Sequence, residues 1–183
     1  MPVEIEKKYR LTQRQRQQIL SRLPAIGANR EAEDFEENTL YTGETIDVEQ
    51  CVLRLRRVGG KGTLTYKERS RVHTDIKHQE EDETSVGDPE AMASILDALG
   101  FTPILIYEKR RETWKLGETE IVIDELPFGL FMEIEGDEHA IREVEGELAI
   151  KGLKSELSSY PRLTLTHGTR VDGVIEARFP TQK

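Results

Sequence analysis

The run Val3-Glu4-Ile5-Glu6-Lys7-Lys8-Tyr9 decides the fold. As a β-strand, its period of two places Glu4, Glu6 and Lys8 on one face and Val3, Ile5 and Tyr9 on the other. A single charged strand face is an ordinary solvated surface. Here the arrangement returns along the chain. Arg54 and Arg56 share a face with Val52 and Val58, opposite Cys51, Leu53 and Leu55. Thr63, Thr65 and Lys67 stand opposite Leu64 and Tyr66, and Glu81 and Glu83 alternate in the next strand. Lys109 and Arg111 alternate beside Tyr107 and Thr113, and Asp124 keeps step with Val122 and Leu126. Glu133 and Glu135 follow Phe131 on one face, opposite Met132 and Ile134.

In an ordinary barrel or sandwich the apolar face turns inward and the charges meet water. Two helices with apolar stripes argue otherwise, one carrying Ile19, Leu20 and Leu23, the other Met92, Ile95, Leu96 and Leu99. Such stripes need an apolar sheet surface to cover. Placing Leu53, Leu55 and Ile134 beneath them leaves the charged faces lining the interior. The reading is therefore α+β: an eight-stranded antiparallel β-barrel, or tunnel, with a charged interior and helices packed outside.

The remaining punctuation agrees. A strand over 2–10 leads to Thr12, the cap of a helix over 13–23 that ends at Pro24 and Gly27. Residues 31–42 are extended. Strands over 51–58 and 63–69 flank the turn Gly59-Gly60-Lys61-Gly62. After a less regular stretch holding His73 and Asp75, an extended run covers 76–86. Asp88-Pro89 starts the second helix, closed by Gly100. Strands at 103–116, 118–126 and 129–136 precede a helix over 138–150 with Ile141, Val144 and Leu148 inward. The tail from Lys151 reads as a short helix carrying Leu153 and Leu157, then a weakly patterned end. No repeat or linker divides the chain, so it reads as one domain over 1–183, with core motifs in 2–136 and a helical part over 137–183.

Composition narrows the function. The chain has 183 residues, 36% of them hydrophobic and 33% charged, with a formal net charge of −9. An acidic protein lacks the basic surface that general nucleic-acid binding uses to replace counterions. An anionic substrate remains compatible, because the potential in a cleft can oppose the global sign. Cys51 is the only cysteine, so neither an internal disulfide nor a thiolate cluster can form. His73, His78, His139 and His167 lack zinc-site spacing. With no signal peptide and no long apolar run, a soluble, cytoplasmic protein without membrane association is expected, as a monomer or homodimer.

A confined charged interior is costly unless its charges are matched. Glu4, Glu6, Glu81, Glu83, Asp124, Glu133 and Glu135 face Lys8, Arg54, Arg56, Lys67, Lys109 and Arg111. A polyphosphate with a divalent metal ion would complete both halves. Arginine forks suit phosphate oxygens, and carboxylates suit Mg²⁺ or Mn²⁺. The glycine-rich turn at 59–62 lacks the spacing and following helix of a P-loop, so phosphate binding falls to side chains.

In this order the residues resemble the CYTH superfamily of triphosphate tunnel metalloenzymes. Glu4, Glu6 and Lys8 match its ExExK, Leu53-Arg54-Leu55-Arg56 its LRxR, and Leu64-Thr65-Tyr66-Lys67 its LTxK. Glu81 and Glu83, Lys109 and Arg111, Asp124, and Phe131 with Glu133 and Glu135 complete the series. The resemblance covers roughly 2–136 and implies an eight-stranded tunnel that binds a triphosphate with divalent metal. It departs at Gln79, where an arginine often precedes the acidic pair, and after Tyr41, where the family's aspartate is missing.

The resemblance implies that Lys8, Arg54, Arg56, Lys67, Lys109 and Arg111 grip phosphates and that Glu4, Glu6, Glu133 and Glu135 hold metal. Lys8, Glu81, Glu83 and Asp124 are the candidates for catalysis. Three functions fit: hydrolysis of inorganic, thiamine or nucleoside triphosphate; class IV adenylyl cyclisation of ATP; and polyphosphate binding without turnover. A cyclase needs a purine pocket, for which Tyr41, Phe128 and Phe131 are the aromatic candidates, though all three also suit a core.

Overall fold

In the computed structural model, which describes residues 3–68 and 75–180, eight strands close on themselves. They are β1 (Val3–Leu11), β2 (Asn29–Thr42), β3 (Cys51–Val58), β4 (Lys61–Glu68), β5 (Lys77–Val86), β6 (Thr102–Leu116), β7 (Thr119–Leu126) and β8 (Gly129–Glu135). Their order is β2-β3-β4-β5-β1-β8-β7-β6, and β2–β6 pairing completes the ring, every neighbour antiparallel. Closure removes the barrel's free edges. Arg69 and His73 lie outside the described residues.

Local sequence accounts for the punctuation. Gly59 and Gly60 take φ of 53° and 82°, the positive pair that a two-residue hairpin turn requires. Helix α1 (Gln13–Arg22) opens with a reciprocal capping box between Thr12 and Gln15. Helix α2 (Pro89–Ala98) is capped by Asp88, whose carboxylate accepts from the Glu90 and Ala91 amides. Asp137 caps α3 (Glu138–Glu147) in the same way through Ala140.

The helices cover the outer face of the barrel. Ile19 of α1 and Leu23 at its C-cap, with Ile141, Val144 and Leu148 around α3, pack on Tyr9, Ile121, Ile123, Met132 and Ile134. Leu96 of α2 packs on Tyr41, Leu53, Leu55 and Val86. Each such side chain, fully buried, stabilises the fold by about 1.5–3 kcal/mol. Trp114 also belongs to the outer core.

The tail departs from its expected form. Residues 153–157 are not helical; the helix is α4 (Tyr160–His167), capped by Ser159 with Pro161 in its first turn. A hairpin of β9 (Thr169–Val171) and β10 (Val174–Ala177) follows, so residues 137–183 are not purely helical. The tail fills two seams in the barrel wall. β5 pairs with β1 only over Val3–Glu6; beyond it Ser155 bridges Tyr9, and the Glu156 amide donates to the Lys8 carbonyl at 2.8 Å. β7 pairs with β6 only from Arg110 onward, and β10 lies parallel to β6 beside Leu105–Tyr107.

One part of the interior is apolar. Leu40, Leu105, Tyr107, Leu126 and Phe131 cluster there with Tyr160, Leu163 and Ala177 from the tail. The charged tunnel occupies the rest.

Candidate active site

The inward faces of the strands enclose a cavity of about 700 Å³. Twelve of the thirteen expected site residues line it: Glu4, Glu6, Lys8, Arg54, Arg56, Lys67, Glu81, Glu83, Lys109, Arg111, Glu133 and Glu135. Their convergence follows from register. Glu6 stands opposite Lys77 on one side and Glu135 on the other, while Lys8 faces Glu133 and Arg54 faces Thr65. Asp124, the thirteenth, lies behind the wall of side chains. It has no solvent exposure and binds Arg111 through two bonds of 2.7 and 2.5 Å.

The charges fall into three groups. In the first, Arg111 bridges Asp124 and Glu133, the latter at 2.7 Å, while Lys109 stands 3.3 Å from Glu36 and 3.6 Å from Asp124. Lys8 meets Glu133 at 3.0 Å and lies 4.0 Å from the centre of the Tyr160 ring. Burial works to raise the Glu133 and Glu36 carboxyls, but surrounding cations outweigh it. Lys8, Arg111 and Lys109 hold Glu133 well below the usual range, and Lys109 and Arg111 bring Glu36 to about 2. Burial and the neighbouring Arg111 lower the Lys109 ammonium.

In the second group Glu83 accepts from Thr65 at 2.7 Å, Arg54 at 3.2 Å and Arg56 at 3.3 Å. Four acids and two lysines make up the third. Lys67 bonds Glu4 and also Glu81, the latter at 2.6 Å; Lys77 bonds Glu6 at 3.0 Å. Glu4 and Glu81 share a hydrogen bond, and burial with that bond pushes Glu81 up to about 8. Glu135 is pushed up to about 7 by burial and by Glu4, Glu120 and Glu6.

Those two raised carboxyls mark an excess of negative charge that the lysines do not offset. An all-carboxylate donor set suits a hard divalent ion such as Mg²⁺ or Mn²⁺. Among the described residues no three acidic, histidine or cysteine side chains stand ready-gathered for an ion. Glu4, Glu6 and Glu81 are instead paired with Lys67 and Lys77. The residues fit the group once those ion pairs part.

Several residues at the site lie outside the matched motifs. Lys77 is recoverable from strand parity, and Gln79 faces the cavity where the resemblance leads one to expect arginine. Glu36, 3% exposed, is hidden in the acidic run Glu31 to Glu37. Tyr160 arrives from the tail, its hydroxyl donating to Asp124 at 2.8 Å. The aromatic candidates for a purine pocket are committed elsewhere. Tyr41 is in the outer core, Phe131 is fully buried, and Phe128 stacks on His167 at 5.4 Å, away from the cavity.

The sequence profile of the CYTH domain matches residues 2–160. This chain belongs to the CYTH family. A Methanocaldococcus jannaschii protein, MJ0240, provisionally named an adenylate cyclase, is 29% identical over 136 residues, covering 73% of this chain and 76% of that protein. The CYTH fold recurs in PH1012 of Pyrococcus horikoshii, with a TM-score of 0.76 and 25% identity over 87% of this chain and 98% of that one. HpAC1 of Hippeastrum, provisionally named an adenylyl cyclase and described as having a dominant triphosphatase activity, has a TM-score of 0.67 and 22% identity, over 88% of this chain and 94% of its own. No helix of the described residues is long and apolar enough to cross a membrane.

Proposed function

We propose that this CYTH protein hydrolyses a small triphosphate in its tunnel with the help of Mg²⁺ or Mn²⁺. The observation that carries this reading is the division of the lining. The acids Glu4, Glu6, Glu81 and Glu135, of which Glu81 and Glu135 are under-compensated, face a wall bearing Arg54, Arg56, Lys109 and Arg111. Glu4, Glu6 and Glu135, with Glu133 beside them, would hold the metal, which would neutralise charge on the phosphate oxygens.

The chain's own groups supply position and field. Arg54 and Arg56 bind non-bridging oxygens in forked geometry, and Lys8, Lys67, Lys109 and Arg111 surround the rest with positive charge. Asp124 positions Arg111 and Lys109 and touches no substrate. Water attacks the terminal phosphorus, the bridging P–O bond breaks, and the released phosphates carry the displaced charge. We assign the water's proton to Glu81 in its ionised form, once its pairing with Lys67 parts, since Glu83 is committed to Arg54, Arg56 and Thr65, and Lys8 to Glu133.

The likeness to MJ0240 favours adenylyl cyclisation as the second reading. It would use the same grip with ribose O3′ as the nucleophile and pyrophosphate leaving. The commitment of Tyr41, Phe128 and Phe131 to packing favours hydrolysis. A product assay with tripolyphosphate, thiamine triphosphate and ATP, in Mg²⁺ and in Mn²⁺, separates the two. Metal-dependent phosphate release supports the hydrolase; cyclic AMP with equal pyrophosphate replaces it with the cyclase. Tight binding of all three with no product would leave a binding module.

A further inference from the structure

We infer that Lys77 is a seventh phosphate-binding cation of the tunnel and supplies the positive charge that position 79 lacks. The inference rests on the triphosphate reading of the same cavity. Lys77, Gln79, Glu81 and Glu83 alternate along β5 and all line the cavity. Of these four, only Lys77 is a cation. Its side chain is 16% exposed, and the ion pair holding its ammonium is with Glu6 at 3.0 Å, directly across from it in the β1–β5 register.

A lysine from β4 holds the other glutamate of β1. Glu4 is held by Lys67 as Glu6 is held by Lys77, and both glutamates stand on the inward face of β1. Both are proposed to turn to the metal. A carboxylate that leaves its lysine for a divalent ion strands the ammonium in a confined site, where an unpaired charge is costly. An arriving phosphate removes that cost. Lys67 and Lys77 are therefore equivalent: each neutralises a glutamate in the empty tunnel and is released to phosphate when metal and substrate enter together.

Lys77 stands two residues from Gln79, a distance of about 7 Å along a strand and within reach of an arginine side chain. An arginine at 79 would thus restore the cation by another route. The test measures binding of Mg²⁺–tripolyphosphate by calorimetry, with melting temperatures of the free proteins, for wild type, Lys77→Gln, Lys77→Arg and Lys77→Gln/Gln79→Arg.

Loss of one charge-assisted contact predicts about ten- to a hundredfold weaker binding for Lys77→Gln. Lys77→Arg should retain most of the affinity, and the double variant should regain most of it. Unchanged affinity in Lys77→Gln, with wild type binding well, overturns the inference and leaves the tunnel reading intact. So does weak binding that Lys77→Arg and Gln79→Arg both fail to restore, which marks a structural strut for Glu6. Failure of wild type to bind Mg²⁺–tripolyphosphate overturns the tunnel reading, and this inference with it. Should Lys77→Gln fold poorly, Lys77→Met takes its place in the same binding measurement, and unchanged affinity there again overturns the inference.

Discussion

Glu36 shows how one side chain ties the tunnel's charge to the stability of the barrel. It lies beneath Lys109 and Arg111, and those cations hold its carboxyl at about 2, against 4.5 for a free glutamate. Between those values the unfolded chain binds Glu36's proton and the folded chain does not. Stability from this group is therefore complete above about pH 4.5 and is lost as pH falls toward 2. Replacing Glu36 with Gln removes that contribution at neutral pH. In urea denaturation, the stability gap between wild type and variant should close as pH drops through this window, and a gap of constant size would show that Glu36 does not couple to its cations. Arg56 is the opposite case. It contacts Glu83 at 3.3 Å, and Glu83 is itself 38% exposed. Arg56→Ala should cost the free protein no more than about 1 kcal/mol, yet weaken triphosphate binding about tenfold or more. Equal affinity in the two proteins would remove Arg56 from the grip. Strand parity made Arg56 legible in the sequence, because Arg54 and Arg56 alternate with leucines. It could not reveal Glu36, since Glu33, Asp34, Glu36 and Glu37 occupy both faces of β2 and only pairing with β6 selects Glu36 as Lys109's partner.

At the scale of elements, the strands and the first three helices were readable because each carries its period and its caps within itself. The charged inward face was readable for the same reason. The tail was not. Leu153 and Leu157 sit four apart and imitate a helical stripe, whereas Leu153 packs on the outer core and Leu157 lies at the cavity. The true start signal, Ser159 followed by Pro161, opens a helix whose apolar partners come from β6, β7 and β8. No local pattern announces that a barrel interior will be partly filled by residues from the far end of the chain. Removing the chain beyond Ser158 should therefore uncover Leu105, Phe131 and Leu126 inside the barrel and cut β6 off from β10. The shortened protein should bind a hydrophobic dye and melt well below the full chain. Matching melting curves without dye binding would show that the tail is only a surface covering. Tyr160 makes the link chemical as well as mechanical: truncation also strips Asp124 of its hydroxyl partner.

Across the whole molecule, most of the acids proposed to hold metal are paired with cations in the empty tunnel. Among the acids proposed to hold metal, Glu4 is tied to Lys67, Glu6 to Lys77, and Glu133 to Lys8 and Arg111. A divalent ion entering alone must separate these pairs and leave ammonium groups unpaired. A triphosphate entering alone must separate them from the other side and leave carboxylates unpaired. Each penalty is several kcal/mol per buried ion, and each is relieved only by the other ligand. Metal and triphosphate should thus bind with strong mutual coupling, and by linkage each raises the other's affinity by the same factor. Thermal stability offers the direct measure. A ligand pair at about a hundred times its dissociation constant adds about 2.7 kcal/mol, which for a chain of this size is roughly 5–10 °C in melting temperature. Magnesium alone and tripolyphosphate alone should each shift the melt by far less than this, with a joint shift exceeding the sum of the two. In Lys67→Gln the coupling should shrink, because Glu4 then meets the metal without stranding a lysine. Strictly additive shifts in the wild-type protein would mean that the ion pairs stay closed when ligands bind, and that the carboxylates and the cations of this tunnel serve separate sites.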